Sequence, residues 1–91
     1  MATVQEAWER HAQDVINGNV AGLMGDFTPA AMPKAMALGS NPIRATSFEV
    51  KDLGNNEAEI SYIGEGTKRT VWSKWEQTGD KWQIADLAER S

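Results

Sequence analysis

Four polar residues are the candidates for acid–base or binding chemistry in this chain: His11, Tyr62, Arg69 and Asp86. His11 falls on the apolar side of the predicted first helix, where a histidine could act as a general base or acid near neutral pH. Asp86 falls on the predicted inward face of the last strand, where apolar surroundings would raise its pKa and let it transfer a proton. His11 and Asp86 are therefore the candidate catalytic residues.

Each of these four residues also has a purely structural interpretation. His11 could be a boundary residue that donates to a backbone carbonyl, and Asp86 could form an ion pair with Arg69, its predicted diagonal neighbour. Tyr62 and Arg69 form a predicted cross-strand pair. Tyr62 could donate to a ligand carbonyl and Arg69 could bind a ligand carboxylate, or the two side chains could stack at the sheet margin. A site is expected only if all four converge.

The tryptophans divide into two groups. Trp8, Trp75 and Trp82 follow the apolar pattern and are expected to supply much of the core. Trp8 and Trp75, together with Ser73 on the same predicted face, are also candidates for contacting a ligand. Trp72 falls on an otherwise charged face, which predicts an interface anchor for a homodimer formed through the sheet. The alternative is that the aliphatic stems of neighbouring lysines cover Trp72.

Helical patterns fill the first part of the chain. Apolar residues at helical spacing predict a first helix over Val4–Asn17, with a capping box that starts at Thr3 and a left-handed stop at Gly18. Asn19 can cap a short second helix. A third short helix is predicted over 33–38, because proline suits the first helical position.

From residue 43 the apolar period changes to two. This predicts strands over 43–53 and 57–63, and two more within 67–87 that are separated by a Gly79-Asp80 turn. Short turns between alternating runs indicate consecutive antiparallel hairpins. The sequence therefore predicts an α+β domain in which N-terminal helices pack on a curved, four-stranded antiparallel sheet.

The strand register follows from requiring that apolar side chains share one face, because a slip of one residue would invert every side chain. The pairs predicted for the inward face are Phe48–Tyr62, Val50–Ile60, Ile60–Val71, Tyr62–Arg69, Ala58–Ser73, Trp75–Trp82, Ser73–Ile84 and Val71–Asp86.

Composition restricts the function further. The 91 residues fit one domain spanning 1–91, and the net charge of −4 argues against a nucleic-acid surface. The lack of cysteine excludes disulfides and thiolate ligands, and a single histidine argues against a structural zinc site, so no metal is expected.

No apolar run reaches the ~20 residues of a membrane span. The N-terminus lacks a signal-peptide layout, so we expect a cytoplasmic protein without membrane contact. No phosphate loop or dinucleotide fingerprint occurs, and no cofactor is expected.

Three segments carry a family resemblance. The first helix ends in Asn-Gly-Asn-Val at 17–20, a short helix leads into Met-Gly-Asp-Phe-Thr-Pro at 24–29, and the chain closes with Gly-Asp-Lys-Trp-Gln-Ile-Ala-Asp-Leu at 79–87. Together they resemble the nuclear-transport-factor-2-like (SnoaL-like) superfamily, with its cystatin-like cone of helices on a curved sheet. The resemblance implies one such domain, often dimeric through its sheet. Only 28–42 stands where members carry an extra strand and helix, so the pocket could be shallow or absent.

Three functions are compatible with these patterns. The first is a homodimeric domain that binds a small apolar or weakly acidic molecule, or a protein, in or near its cone. The second is a cofactor-free isomerase, dehydratase or epoxide hydrolase. It would use Asp86 or His11 as the base, with Tyr62 or Arg69 stabilising negative charge. The third is a structural association module whose cone is filled. No catalytic motif of the superfamily matches residue by residue, so the sequence leaves the choice open.

Overall fold

Three helices precede four strands in the computed structural model, which describes residues 3–90. The elements are α1 (Val4–Asn17), α2 (Val20–Met24), α3 (Met32–Gly39), β1 (Ser47–Gly54), β2 (Glu57–Gly64), β3 (Thr67–Thr78) and β4 (Lys81–Arg90). The predicted α+β class is confirmed, with a four-stranded antiparallel open sheet.

The first helix has the predicted bounds. The capping box forms, because the Thr3 hydroxyl accepts from the Glu6 amide at 3.2 Å while the Glu6 carboxylate accepts from the Thr3 amide at 3.0 Å. Gly18 ends the helix in the left-handed conformation at φ 68°. One face of α1 is buried, and it includes Trp8 and His11.

The other two helices are short. The Asn19 side chain accepts from the Gly22 amide at 3.2 Å and so caps α2. The predicted third helix lies within α3, which begins one residue earlier and ends one residue later. Neither α2 nor α3 has a fully buried residue. None of the helices within residues 3–90 is long and apolar enough to cross a membrane.

The sheet has the order β1-β2-β3-β4, with consecutive antiparallel neighbours. The predicted register is confirmed for the first two hairpins, where Phe48 pairs with Tyr62 and Ile60 pairs with both Val50 and Val71. The first strand is shorter than predicted, because 43–46 lies before the regular ladder that begins at Ser47.

The predicted register of the third hairpin is wrong. Its ladder closes on a tight two-residue turn, with Thr78 opposite Lys81, and a bulge between Lys74 and Trp75 shifts the pairing beyond it. Trp75 therefore pairs with Ile84 instead of Trp82. Beyond the bulge, Ser73 and Val71 pair with Leu87 and Glu89 instead of Ile84 and Asp86. The bulge allows both Ile84 and Leu87 to be buried although they are three positions apart, a spacing that puts two residues on opposite faces of a regular strand.

The core lies between α1 and the inward face of the sheet, and its largest fully buried side chains are Trp8, Trp75, Ile60 and Ile84. The segment after α2 is joined to this core through the backbone of β4. Ile84 donates its amide to the Asp26 carbonyl at 2.7 Å and accepts from the Thr28 amide at 3.0 Å. This pairing fixes Asp26 beside the sheet and below α1.

Candidate functional site

An apolar cavity of about 430 Å³ lies between the helices and the sheet. All of its lining residues except two are apolar or glycine, and the lining comprises His11, Val15, Gly18, Val20, Leu23, Met24, Phe27, Met32, Ala35, Met36, Leu38, Gly39, Pro42, Ile43, Tyr62, Val71 and Leu87. The two polar side chains of the lining are His11 and Tyr62. A cavity with apolar walls and a few polar groups is the usual form of a small-molecule site.

His11 is held by one hydrogen bond and two aromatic contacts. Its Nδ1 lies 2.8 Å from a carboxylate oxygen of Asp26, and both side chains are buried. The rings of Phe27 and Trp75 contact the imidazole edge-on, with centroid distances of 5.7 and 5.5 Å. Because a carboxylate can only accept, Nδ1 carries the proton of this bond. In the neutral imidazole the free lone pair is then on Nε2, which has no hydrogen-bond partner among residues 3–90.

Asp26 is the residue that orients His11. Its carboxylate also accepts a short charge-assisted hydrogen bond from Arg10, which in turn binds Asp14 at 2.7 Å. Burial by itself acts to raise the pKa of Asp26. The hydrogen bonds from His11 and Arg10, together with the nearby positive charge, outweigh burial and hold that pKa below its ordinary value. Asp26 therefore remains ionised beside the imidazole at neutral pH.

Tyr62 supplies the second polar group of the cavity. Tyr62 is only 3% exposed, and its hydroxyl has no hydrogen-bond partner among residues 3–90. Burial, and to a smaller degree the negative charge of Asp26, raises the pKa of Tyr62. The phenol therefore stays protonated and can donate to a ligand oxygen.

A more polar groove of about 610 Å³ lies next to the pair formed by His11 and Asp26. Arg10 and Asp26 contribute to its lining, as do the charged residues Glu6, Asp80 and Lys81. The His11–Asp26 pair thus separates two environments, since His11 lines the apolar cavity and Asp26 lines the polar groove.

The residues predicted to form a site are only partly brought together. His11 and Tyr62 line the same cavity, and Trp75 contacts His11 directly. Ser73 accepts a 2.8 Å hydrogen bond from the indole N–H of Trp75, so it supports that ring instead of lining the cavity. Trp8 belongs to the core, where its indole N–H is buried without a hydrogen-bond partner in the part of the chain that the structure describes.

Asp86 and Arg69 lie outside the cavity. The bulge turns Asp86 away from the predicted inward face, and the residue pairs with Lys74 across the sheet while its carboxylate binds Lys34. The hydrogen bond from Lys34 lowers the pKa of Asp86, whereas an inward position would have raised it. Arg69 makes a two-point ion pair with Glu89, at 2.6 and 2.7 Å, instead of the predicted pair with Asp86. It also donates to the Asn41 carbonyl at 2.7 Å.

Trp72 lies on the outward face of the sheet, as predicted, and it is half-buried within the single chain. Its indole N–H donates to Glu57 at 2.9 Å, and the guanidinium of Arg90 lies 5.3 Å from the ring centroid. Glu57 and Arg90 therefore both hold the indole on this face.

Asp26 is the residue of the candidate site that the sequence patterns do not indicate. It lies in an irregular segment between two short helices, where no periodicity relates it to α1. Its sequence signal is weak: an isolated acidic residue that precedes an aromatic residue. Only the backbone pairing with Ile84 brings it to His11.

Comparison of the chain with protein-family models, with curated proteins and with solved structures finds no match in any of the three. Within residues 3–90, no group of three or more histidine, cysteine or acidic residues could hold a metal ion. A function for the chain is therefore inferred from the geometry of the cavity and of the His11–Asp26 pair.

Proposed function

We propose that this protein binds a small, largely apolar molecule in the cavity between its helices and its sheet. The observation that carries the proposal is the cavity of about 430 Å³, whose apolar lining is interrupted only by His11 and Tyr62. Ligand pockets begin at roughly 300 Å³, so the space is large enough for a small molecule. The apolar walls supply affinity, and the two polar atoms supply orientation.

The wall formed by α2 and α3 supports this proposal. Met24, Met32 and Met36 line the cavity on this side, and Met24 and Met36 are 59% and 71% exposed. Methionine side chains are flexible and polarisable, so they adapt to ligands of different shapes. We infer that the ligand enters between these two helices, since this wall has no fully buried residue.

A thermal-shift screen tests the proposal. The purified protein is heated with a panel of small apolar acids, ketones, epoxides and sterol-like compounds, and a ligand of the folded state raises the unfolding midpoint. The matched variants are Ala35→Trp, which fills the cavity from α3, and Ala37→Trp, which places the same side chain on the exposed side of that helix.

We expect hits that Ala35→Trp abolishes and Ala37→Trp retains. Tyr62→Phe should weaken the binding of ligands that carry a carbonyl oxygen. Hits that survive Ala35→Trp would place binding elsewhere and contradict the proposal. The absence of any hit across the panel would favour the structural association module.

The His11–Asp26 pair supports a second candidate, cofactor-free acid–base catalysis. A carboxylate that holds the imidazole Nδ1–H leaves Nε2 free to take a proton from a bound carbon acid. Tyr62 could donate to the carbonyl oxygen on which negative charge develops. Asp26 thereby replaces Asp86 as the acidic partner in this hypothesis.

This second candidate predicts deuterium exchange next to a carbonyl group. β-Tetralone is incubated with the protein in D₂O, and loss of its α-proton signals is followed by NMR. Exchange should exceed that in buffer and should be lost in His11→Gln. Exchange at the buffer rate for β-tetralone and for every ketone hit of the screen would exclude this activity for those compounds and leave ligand binding as the function.

We further propose that the chain is a shortened nuclear-transport-factor-2-like domain that dimerises through the outward face of its sheet. The order of helices before consecutive hairpins, with α1 against the inward face of the sheet, supports the fold assignment. The partly exposed Trp72 on the opposite face supports the dimer.

A further inference from the structure

We propose that the cavity takes its ligand as an apolar acid, bound in the anionic form by a protonated His11, so that binding takes up one proton from solution. This inference rests on the proposed ligand-binding function and specifies the chemical class of the ligand. It depends on which charges line the cavity and which lie behind His11.

The cavity lining contains one group that can become cationic. Among residues 3–90, no lysine, arginine, aspartate or glutamate belongs to the lining, and the polar members are His11 and Tyr62. Tyr62 stays neutral and offers an O–H donor. A positive charge in this cavity must therefore be on the imidazole, where no acidic lining residue would neutralise it.

The charged groups behind the imidazole, Arg10, Asp14 and Asp26, carry one net negative charge. Arg10 is bound to both Asp14 and Asp26, so this group holds one positive and two negative charges. A proton on His11 brings the group of four to neutrality. The remaining charged residues near Asp26 line the polar groove, where Glu6 and Asp80 outnumber Lys81. These groove residues add one more net negative charge on this side of His11, while the element on the other side of the cavity, β2, contributes only the neutral Tyr62.

A ligand carboxylate completes this arrangement. The acid arrives ionised from water, a proton from solution adds to Nε2, and the resulting N–H donates to the carboxylate while Nδ1–H continues to donate to Asp26. The hydroxyl of Tyr62 is the other donor in the cavity for the same anion. A primary amide of the same skeleton has the same apolar contacts but cannot form the charge-assisted bond.

Isothermal titration calorimetry tests the inference with two matched pairs of probes. The pairs are decanoic acid with decanamide and 1-naphthoic acid with 1-naphthamide, each below its solubility limit. Titrations at pH about 8, in two buffers of different ionisation enthalpy, give the number of protons taken up. At that pH a free histidine is mostly neutral and a free carboxylic acid is ionised.

We expect uptake of about one proton for each acid bound and none for the amides. At pH about 6 the acid should bind about tenfold more tightly than its amide, a gain typical of charge-assisted hydrogen bonds. The affinity for the acid should fall as the pH is raised into the alkaline range, by at most about tenfold per pH unit, which is the limit for one coupled proton. His11→Gln should remove the proton uptake, whereas Asp86→Asn should leave it unchanged.

The outcomes separate this inference from the function on which it rests. If acids and amides bind equally and without proton uptake, the acidic ligand is excluded and the apolar binding function stands. If neither acid nor amide of either pair binds, and the screen also gives no hit, both proposals fail. If His11→Gln does not fold, the proton count of the wild-type protein still decides.

Discussion

Replacing Asp26 with asparagine removes the charge that holds His11 and Arg10 together while keeping the shape of the side chain. Asp26 is 4% exposed and accepts from both neighbours. We expect Asp26→Asn to destabilise the fold strongly, because the buried acceptor loses its charge and its amide group can replace only one of the two bonds.

The size of the effect follows from these two hydrogen bonds. A hydrogen bond to a charged group contributes about 1.5–3 kcal/mol, and the loss of one bond with weakening of the other gives about 2–3 kcal/mol. The half-exposed guanidinium of Arg10 keeps Asp14 as a partner, so the larger penalty of a fully buried unpaired charge does not arise. For a domain of this size the expected decrease in Tm is about 10–20 °C.

Urea unfolding followed by tryptophan fluorescence measures this change. The midpoint for Asp26→Asn should fall by about 1–2 M. The matched control is Asp86→Asn, which makes the same chemical change on a carboxylate that is exposed and paired with Lys34. Its midpoint should equal that of the wild-type protein. Equal midpoints for all three proteins would refute the role given to Asp26.

The pH dependence gives an independent check. The pKa of Asp26 is lower in the folded state than its ordinary value of 3.8. Its contribution to stability is therefore fully present above that ordinary value and is lost as the pH falls through the lower folded value. The difference in unfolding free energy between wild type and Asp26→Asn should be present near neutral pH and should narrow below pH about 3. A difference that widens in strong acid would contradict the assignment.

Three further predictions address the core, the first helix and the sheet face. Ile84→Ala should lower the unfolding free energy by about 2–5 kcal/mol, because the side chain is fully buried; urea denaturation measures this, and a loss below 1 kcal/mol would show that the site is not tightly packed. Gly18→Ala should lower the free energy of unfolding by about 1–2 kcal/mol, because Gly18 has a positive φ of 68°, whereas Gly39→Ala changes a helical position with free space and should leave that free energy unchanged or raise it. Equal Tm values for the two variants would contradict this prediction. Trp72→Glu should convert the proposed dimer to a folded monomer in light scattering after size exclusion, and an unchanged mass would exclude this interface.

Local signals predicted most of the helices and two of the hairpins. The bounds of α1 follow from the capping residue Thr3, the apolar spacing and Gly18, all of which act within a few residues. In the first two hairpins, strict alternation fixes the register, because Ile60 can face the core only if its partners Val50 and Val71 do so too.

The third hairpin shows where alternation fails as a guide. The apolar residues Ile84 and Leu87 are three positions apart, which no regular strand can place on one face. The sequence therefore contained the sign of a bulge, and the register chosen without it placed Asp86 inward. The pairing error begins at the turn, where Thr78 lies opposite Lys81, and the bulge then inverts the face of the β4 residues beyond it. This inversion removes Asp86 from the candidate site, and the pairs of the first two hairpins are unaffected.

The position of Asp26 could not be predicted from local patterns. It depends on a bridge to Ile84, a residue 58 positions further along the chain, in a segment without periodicity. His11 and Tyr62 were found because each lies on the apolar face of a regular element. Asp26, the partner of His11, lies in a loop, and only the tertiary fold brings its carboxylate within hydrogen-bond distance of the imidazole.

The central claim is that His11, oriented by Asp26, presents its Nε2 to a ligand in the cavity. The chain contains one histidine, so long-range ¹H–¹⁵N NMR reports its two ring nitrogens without ambiguity. At pH about 8 we expect a protonated Nδ1 and an unprotonated Nε2, and decanoic acid should change the Nε2 signal to that of a protonated nitrogen. A spectrum that shows the proton on Nε2 in the free protein, or that no cavity ligand alters, would contradict the account.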